Sequence, residues 1–395
     1  MKKTRWLNST VLGIGLASLF SDWSHEIATA AMPAFLAALG VGAVWLGIIE
    51  GIADGLSSFA KMASGFYTDR LPRRKPIAVA GYAITALCTA AFAFATNAWH
   101  ILLARSGAWL GRGVRTPVKK ALLAAAVSPD AYARAFGLER AMDTVGAIIG
   151  PITALFLLQA WQHNYRLLFA WTLVPGLLAA AVIAFLVKEE KRVPVAHISF
   201  GERLRLLPAP YRKFLVAVGL FGAGDFAHSM LILLASQKLA PSIGPAAAAS
   251  LAVTLYILHN VFYAGFALIA GWLGDRLPKN RLLAAGYAIA GTMTLAIIFL
   301  PAAIWTLAIV FIAGGIYIAM EETLEDSLCA ELVNKSHHGM AFGVLSTVNG
   351  LGDFVSSIVV GALWSAFGTQ IAFTYSALLF FAGAALVSRV KGDAR

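Results

Sequence analysis

Residues Gly65-Phe66-Tyr67-Thr68-Asp69-Arg70-Leu71-Pro72 return as Gly271-Trp272-Leu273-Gly274-Asp275-Arg276-Leu277-Pro278, 206 positions later. Further matches surround that pair in the same order. Gly81-Tyr82 is answered by Gly286-Tyr287 at an offset of 205, and Ala135-Phe136-Gly137 by Ala341-Phe342-Gly343 at 206. Near the start, Asp22 and His25 are answered by Asp225 and His228 at 203. Chance supplies one such match; an ordered series at nearly constant offset is a duplication. The chain reads as two copies of one plan.

Each copy is too apolar for water. Of 395 residues, 59% are hydrophobic and 13% charged, about half the charged share of an ordinary soluble domain. A bilayer core of about 30 Å takes on the order of 20 apolar residues per helix, with backbone hydrogen bonds closed inside the helix. That ruler predicts twelve spans, near residues 8–38, 45–67, 76–96, 99–127, 135–160, 167–187, 213–238, 247–274, 281–300, 303–331, 339–367 and 370–388. The runs are too long and too rich in Ala and Leu for the alternating strands of a membrane barrel. The expected fold class is therefore all-α and integral to the membrane. Residues 1–187 make one six-helix bundle, 188–213 a polar linker and 214–395 a second bundle.

The net charge of +11 is explained by topology. Of 31 Lys and Arg, 22 fall in loops and tails on one side of the spans, among them Lys2, Lys3, Arg5, Lys391 and Arg395. Two, Arg166 and Lys238, fall on the other side, and seven lie inside spans. The positive-inside rule puts the basic side, and with it both termini, in the cytoplasm of a cell membrane. No stretch is long enough to be a basic soluble domain, which excludes nucleic acid as a partner. The N-terminus is basic and then apolar, but its apolar run exceeds a signal-peptide core and reads as a retained first span. Cys88 and Cys329 fall in different spans, offer no disulfide framework or metal spacing, and read as packing residues.

With these elements in place, the run from Gly65 through Asp69-Arg70 to Arg73-Arg74-Lys75, echoed after the eighth span, resembles the signature loop of the major facilitator superfamily. Arg105, Gly111, Gly113 and Pro117 in the fourth span resemble its second motif. Gly146, Gly150 and Pro151 in the fifth resemble the Gly-Pro motif associated with its antiporters. Pro72 and Pro278 stand where the signature loop usually carries glycine. The resemblance covers the whole chain and implies twelve transmembrane helices in two pseudo-symmetric bundles and transport by alternating access. Lipid and a small-molecule or ion substrate are the expected partners, and a monomer the expected state.

Physical chemistry assigns the signature loop a gate. Asp69, at the end of the second span, is placed to meet a helix N-terminus or a basic partner and so to latch one conformation. Arg70, Asp275 and Arg276 join it by repetition; the alternative is a solvated charged turn.

Charges inside spans are costly and are functional candidates by default. The first span carries Asp22, His25 and Glu26, whose spacing shares one helix face, and the seventh carries Asp225 and His228 at the same spacing. Three readings stand together. The carboxylates are proton carriers with histidine as relay; or Asp22, His25, Asp225 and His228 make a site for a divalent transition metal; or these groups hold helices together. In the fourth and tenth spans the offset of 206 sets Arg115 against Glu321, Lys119 against Glu325 and Lys120 against Asp326. Arg112, Arg115 and Lys119 form one stripe and Glu321, Glu322 and Glu325 another. These stripes bind an anionic solute on the fourth-span side, pair with each other as charges that break and reform during rocking, or snorkel to the interface. Arg140 and Asp143 in the fifth span are one turn apart and neutralise each other on this reading.

Enzyme equipment has no counterpart here: there is no phosphate-binding Gly-rich loop ending in Lys and Ser/Thr, and no zinc-hydrolase spacing of histidines. No catalytic activity and no cofactor are expected, with a proton gradient as the energy source. The sequence thus predicts proton-coupled efflux of a small organic solute. Transition-metal export is the alternative, and a receptor or scaffold with a transporter fold is the alternative of another class.

Overall fold

Local signals in the sequence begin and end the helices. The computed structural model describes residues 6–41, 43–192, 199–301 and 303–390. Lys2, Lys3, Arg5, Lys391 and Arg395, and residues 193–198 of the linker, lie outside these. The first half gives α1 (Ser9–Ala38), α2 (Ala43–Thr68), α3 (Lys75–Ala90), α4 (Ala98–Ala125), α5 (Tyr132–Ala160), α6 (Tyr165–Trp171) and α7 (Leu173–Leu186). A short α8 (Phe200–Arg205) follows in the linker. The second half gives α9 (Ala209–Gly222), α10 (His228–Ile243), α11 (Pro245–Gly274), α12 (Lys279–Phe299), α13 (Ile304–Leu332), α14 (His338–Phe367) and α15 (Thr369–Val387).

Asparagine caps three starts: Asn8 accepts from Thr10 and Val11, Asn97 from His100, and Asn164 from Leu167. Each supplies an oxygen to N–H groups that a helix start leaves unpaired. Glycine makes the tight reversals between α10 and α11 and between α14 and α15, where Gly244 and Gly368 have φ of 85° and 86°. That conformation strains any side chain with a Cβ.

Helix occupies all twelve expected spans, and eight are apolar and long enough to cross a membrane on a strict composition test. Of the four that fall short, three are interrupted by charged or polar residues and one is broken. Asp22, His25 and Glu26 interrupt α1; Glu50, Asp54 and Lys61 interrupt α2; five basic residues interrupt α4. The seventh span is split into pieces of 14 and 16 residues.

That split corrects the sequence reading. Residues 213–238 were expected as one helix, but the backbone unwinds over residues 223–227, between α9 and α10. Asp225 lies in the break and His228 opens the next helix, so the pair does not share one helix face as Asp22 and His25 do in the unbroken α1. The sixth span is also interrupted, at Thr172 between α6 and α7.

Two compact units divide the chain: Met1–Leu206 with Val333–Thr347, and Leu207–Leu332 with Val348–Arg395. In the first, α2 packs on α4, α4 on α3, and α7 on both α3 and α1. In the second, α11 packs on α13, α13 on α12, and α15 on both α12 and α9. These are the same pairings, element for element, so the duplication read from sequence is a duplication of packing. α5 adds a tight seam against α1, where a Cβ on Gly146 would lie 2.3 Å from the Leu19 carbonyl and one on Gly150 would lie 2.5 Å from Glu26 Cβ. The Gly-Pro stretch thus brings α5 onto the stretch of α1 that carries the candidate charges. Cys88 is half-buried, Cys329 is buried, and neither is in a disulfide.

Candidate functional site

In the first unit the charges of α1, α4 and α5 meet one another. Arg112 on α4 reaches Asp22 on α1, with Nη1 3.1 Å from Oδ1 and Nη2 3.4 Å from Oδ2. Arg105, two turns back along α4, forks onto Glu50 of α2 at 2.9 and 3.1 Å. Its guanidinium also lies 4.5 Å from the Trp109 ring, which in turn meets the His25 ring at 4.4 Å and Arg112 at 5.1 Å. Arg115 donates to the Ser21 hydroxyl at 2.6 Å and lies over the Tyr82 ring at 3.9 Å. Lys119 donates to Glu139 of α5 and, at 2.9 Å, to Ser18 of α1. Arg140 and Asp143 pair at 3.1 Å within α5.

These contacts place the α4 stripe against partners within its own unit. Lys119 does not snorkel: it is 7% exposed and held inward by Glu139, because a carboxylate on the neighbouring helix offsets the cost of burial. Arg112 is engaged by Asp22, so these two candidates form an ion pair. Glu26 is the member of the first-span trio with most access to the outside, its side chain 29% exposed against 8% for Asp22 and 4% for His25.

The second unit is built on carboxylates and tyrosines. Asp225, in the break between α9 and α10, accepts from the Tyr317 hydroxyl at 3.1 Å. The freed backbone finds partners on α14 and α15: Ser356 donates to the Asp225 carbonyl, Tyr375 to the Ala223 carbonyl at 3.0 Å, and the Ala227 N–H donates to Ser357 at 3.3 Å. Next to the break lies a cavity of about 330 Å³ whose lining includes Asp225, His228, Glu321, Glu322, Asn349 and Asp353. His228 Nε2 and Asn349 Oδ1 are buried there with no hydrogen-bond partner among the described residues, unmet capacity of the kind a bound molecule or water satisfies. Glu322 accepts from Tyr263, while Glu325 stands behind the cavity, taking hydrogen bonds from Tyr287 and, at 2.8 Å, from Asn349. The acidic stripe of α13 is thus divided between a lining part and a supporting part.

Sequence reasoning missed the groups that hold these charges: Glu50, Ser18, Ser21, Trp109, Tyr263 and Tyr317. A signal existed for two more. Gly81-Tyr82 and Gly286-Tyr287 repeat in sequence, and each tyrosine lies beneath the charged helix of its own unit, Tyr82 under Arg115 and Tyr287 against Glu325. Among the described residues, no group of three or more His, Cys, Asp or Glu side chains is arranged to hold a metal ion. The metal reading of Asp22, His25, Asp225 and His228 draws no support from either unit.

The expected gate residue is buried. Asp69 is 0% exposed; its carboxylate pairs with Arg74 and accepts from the N–H groups of Gly339 and Met340 at 3.0 and 2.8 Å, in the first turn of α14. Arg192 from the linker lies 3.5 Å from the same carboxylate and donates to the Asp69 carbonyl. Burial pulls the Arg74 guanidinium below its usual value, and Asp69 acts in the opposite sense. The helices touch here at glycine: a Cβ on Gly65 would lie 2.3 Å from the Gly339 carbonyl. Arg70 lies over the Phe66 ring at 4.0 Å and Arg276 over the Trp272 ring at 3.6 Å, the same cation–π contact in both copies of the loop. Asp275 lies next to Arg276, at the C-terminal cap of α11.

Comparisons with known proteins agree with this architecture. An uncharacterized MFS-type transporter of Methanocaldococcus jannaschii is 25% identical over 386 residues, 95% of this chain and 93% of that one. The multidrug resistance protein MdtH of Salmonella typhi is 25% identical over 257 residues, 64% of this chain and 62% of that one. The crystal structure of the human organic anion transporter MFSD10 superposes with a TM-score of 0.78 at 15% identity, over 96% of this chain and 99% of that one, a likeness of fold. The family model described as Major Facilitator Superfamily matches residues 14–226 and again 214–394, one match for each copy of the repeat. Doubled loop, doubled packing and doubled match have one explanation: the chain is a transporter of the major facilitator superfamily.

Proposed function

We propose that this transporter exports a small organic solute bearing positive charge, in exchange for protons, from a cell whose cytoplasm holds both of the chain's termini. The observation that carries the reading is the cavity beside the break in the seventh span. Four carboxylates, Asp225, Glu321, Glu322 and Asp353, and one imidazole contribute to its lining. A cavity of that composition attracts cations and protons alike, and competition between the two for the same carboxylates is the physical basis of exchange. Unwound backbone at membrane depth is tolerated where it is buried in protein or lines a cavity, and it marks the solute site in other secondary transporters. The similarity to a multidrug resistance protein supports efflux over uptake.

Transport into proteoliposomes under an imposed pH gradient tests this, with a lipophilic cation such as tetraphenylphosphonium as probe. Cation movement should follow the proton gradient and collapse with a protonophore, and Asp225→Asn should abolish the dependence on the gradient. Movement indifferent to the protonophore would remove proton coupling. Saturable binding without any movement would favour a receptor that keeps a transporter fold.

A further inference from the structure

A second cavity, about 710 Å³, opens beside the start of α3 and the end of α7, in the first unit and outside the groups described above. Three cations stand at its rim: Arg73 and Lys75 at the start of α3, and Lys188 just after α7. Its wall is apolar, with Val79 and Ala80 from α3 and Ala184 and Phe185 from α7. Phe185 is 83% exposed, and farther along the same helices Leu87 and Leu178 are 56% and 44% exposed. Such surface belongs against acyl chains, so the cavity lies where the polar loop meets the hydrocarbon boundary.

Among the described residues, no carboxylate pairs with the side chains of Arg73, Lys75 or Lys188. The acidic residue at hand, Glu189, lines the cavity but is engaged elsewhere, since its two oxygens accept from the backbone N–H groups of Arg74 and Lys75 at 2.6 and 2.8 Å. It caps α3, whose preceding Arg74 side chain makes no capping bond. The duplicated position makes the contrast plain. At the offset of 206, Arg73 corresponds to Lys279, which is paired with Glu331 at 2.6 Å.

We propose that this cavity is a binding site for an anionic phospholipid. The headgroup phosphate sits among Arg73, Lys75 and Lys188, and an acyl chain runs along Val79, Ala184 and Phe185. Charge complementarity selects an anionic over a zwitterionic headgroup, and the apolar wall selects a lipid over a soluble phosphate. Arg73 and Lys75 flank Arg74, the partner of Asp69, so an occupant here touches the segment that carries the gate.

Native mass spectrometry of the detergent-purified full chain tests the site without any reading of transport, so its outcome is independent of the proposed solute and coupling. The probes are dioleoyl-phosphatidylglycerol and dioleoyl-phosphatidylcholine. The glycerol lipid should be retained in preference, and the double substitution Arg73→Gln with Lys188→Gln should lower its binding about tenfold at low ionic strength. Ala184→Trp, which fills the cavity and leaves every charge in place, should lower it as well. Lys279→Gln, at the equivalent place in the second unit, should leave it unchanged, and millimolar inorganic phosphate should not displace the lipid. Equal retention by the double variant and the parent, or by Ala184→Trp and the parent, would overturn the site. Displacement by inorganic phosphate would overturn the lipid in favour of a soluble anion.

Discussion

At Asp69 one carboxylate meets an arginine from its own loop, an arginine from the linker and two N–H groups of a helix start 270 residues away. The prominence of Asp69 was legible, because it recurs as Asp275 while the three residues before it vary. Its partners were not, since backbone N–H groups have no sequence signature and only folding brings Gly339 and Met340 to it. Asn in its place still accepts from one N–H but leaves the Arg74 guanidinium buried without its counter-charge, a loss of about 3 kcal/mol or more where such pairs have been broken. On the gate reading, in which the contact biases one conformation and touches no solute, Asp69→Asn should lower the transport rate more than tenfold and leave solute affinity unchanged. Adding Arg74→Gln should restore part of the rate by removing the stranded charge. Calorimetric affinity alongside transport in liposomes separates the cases; weakened binding at an unaltered rate would show that Asp69 is no gate.

Among the elements, the broken seventh span is where sequence and structure part. Residues 213–238 are apolar enough for one helix, and Gly222 and Gly224 are mild hints that sequence alone cannot weigh. What stabilises the break is remote: Ser356 and Tyr375 supply the hydroxyls that satisfy the Asp225 and Ala223 carbonyls, 131 and 152 positions away. A periodicity argument sees the helix and misses the donors that replace its hydrogen bonds. The same limit explains the tyrosines, since Tyr287 and Tyr317 read as apolar span residues until their hydroxyls are found on Glu325 and Asp225. Ser356→Ala therefore removes a donor from a buried carbonyl and should cost about 1 kcal/mol of stability. The effect should concentrate at the cavity, giving a lower melting temperature and weaker solute binding together. Unchanged melting and unchanged affinity in Ser356→Ala would mean that the break is held by other groups.

For the whole molecule, the repeat carried most of what could be read. An offset near 206 predicted two copies, and the copies share their helix pairings, their loop cation–π contacts and the tyrosine beneath the charged fourth or tenth span. What the offset could not carry is how unlike the copies are in charge: the first unit pairs its cations with Asp22, Glu50 and Glu139, while the second lines a cavity with acids. The expected orientation in the membrane rests on the loops, where the sequence reading sets 22 basic residues on one side against Arg166 and Lys238 on the other. Local hydrogen bonds account for the place of those two. Arg166 donates to the Ala93 carbonyl at 2.8 Å and Lys238 to the Ile297 carbonyl at 2.9 Å, each at the end of a helical span where the backbone is partially negative. They are therefore exceptions with a structural reason, and the expected orientation follows the bias of the remaining loops. In a background with Cys88 and Cys329 replaced, Ser242→Cys, exposed near the end of α10, should react with a membrane-impermeant maleimide in intact cells. Arg281→Cys, exposed at the start of α12, should react only after permeabilisation. The reverse pattern would turn the transporter over in the membrane and put both termini outside the cytoplasm.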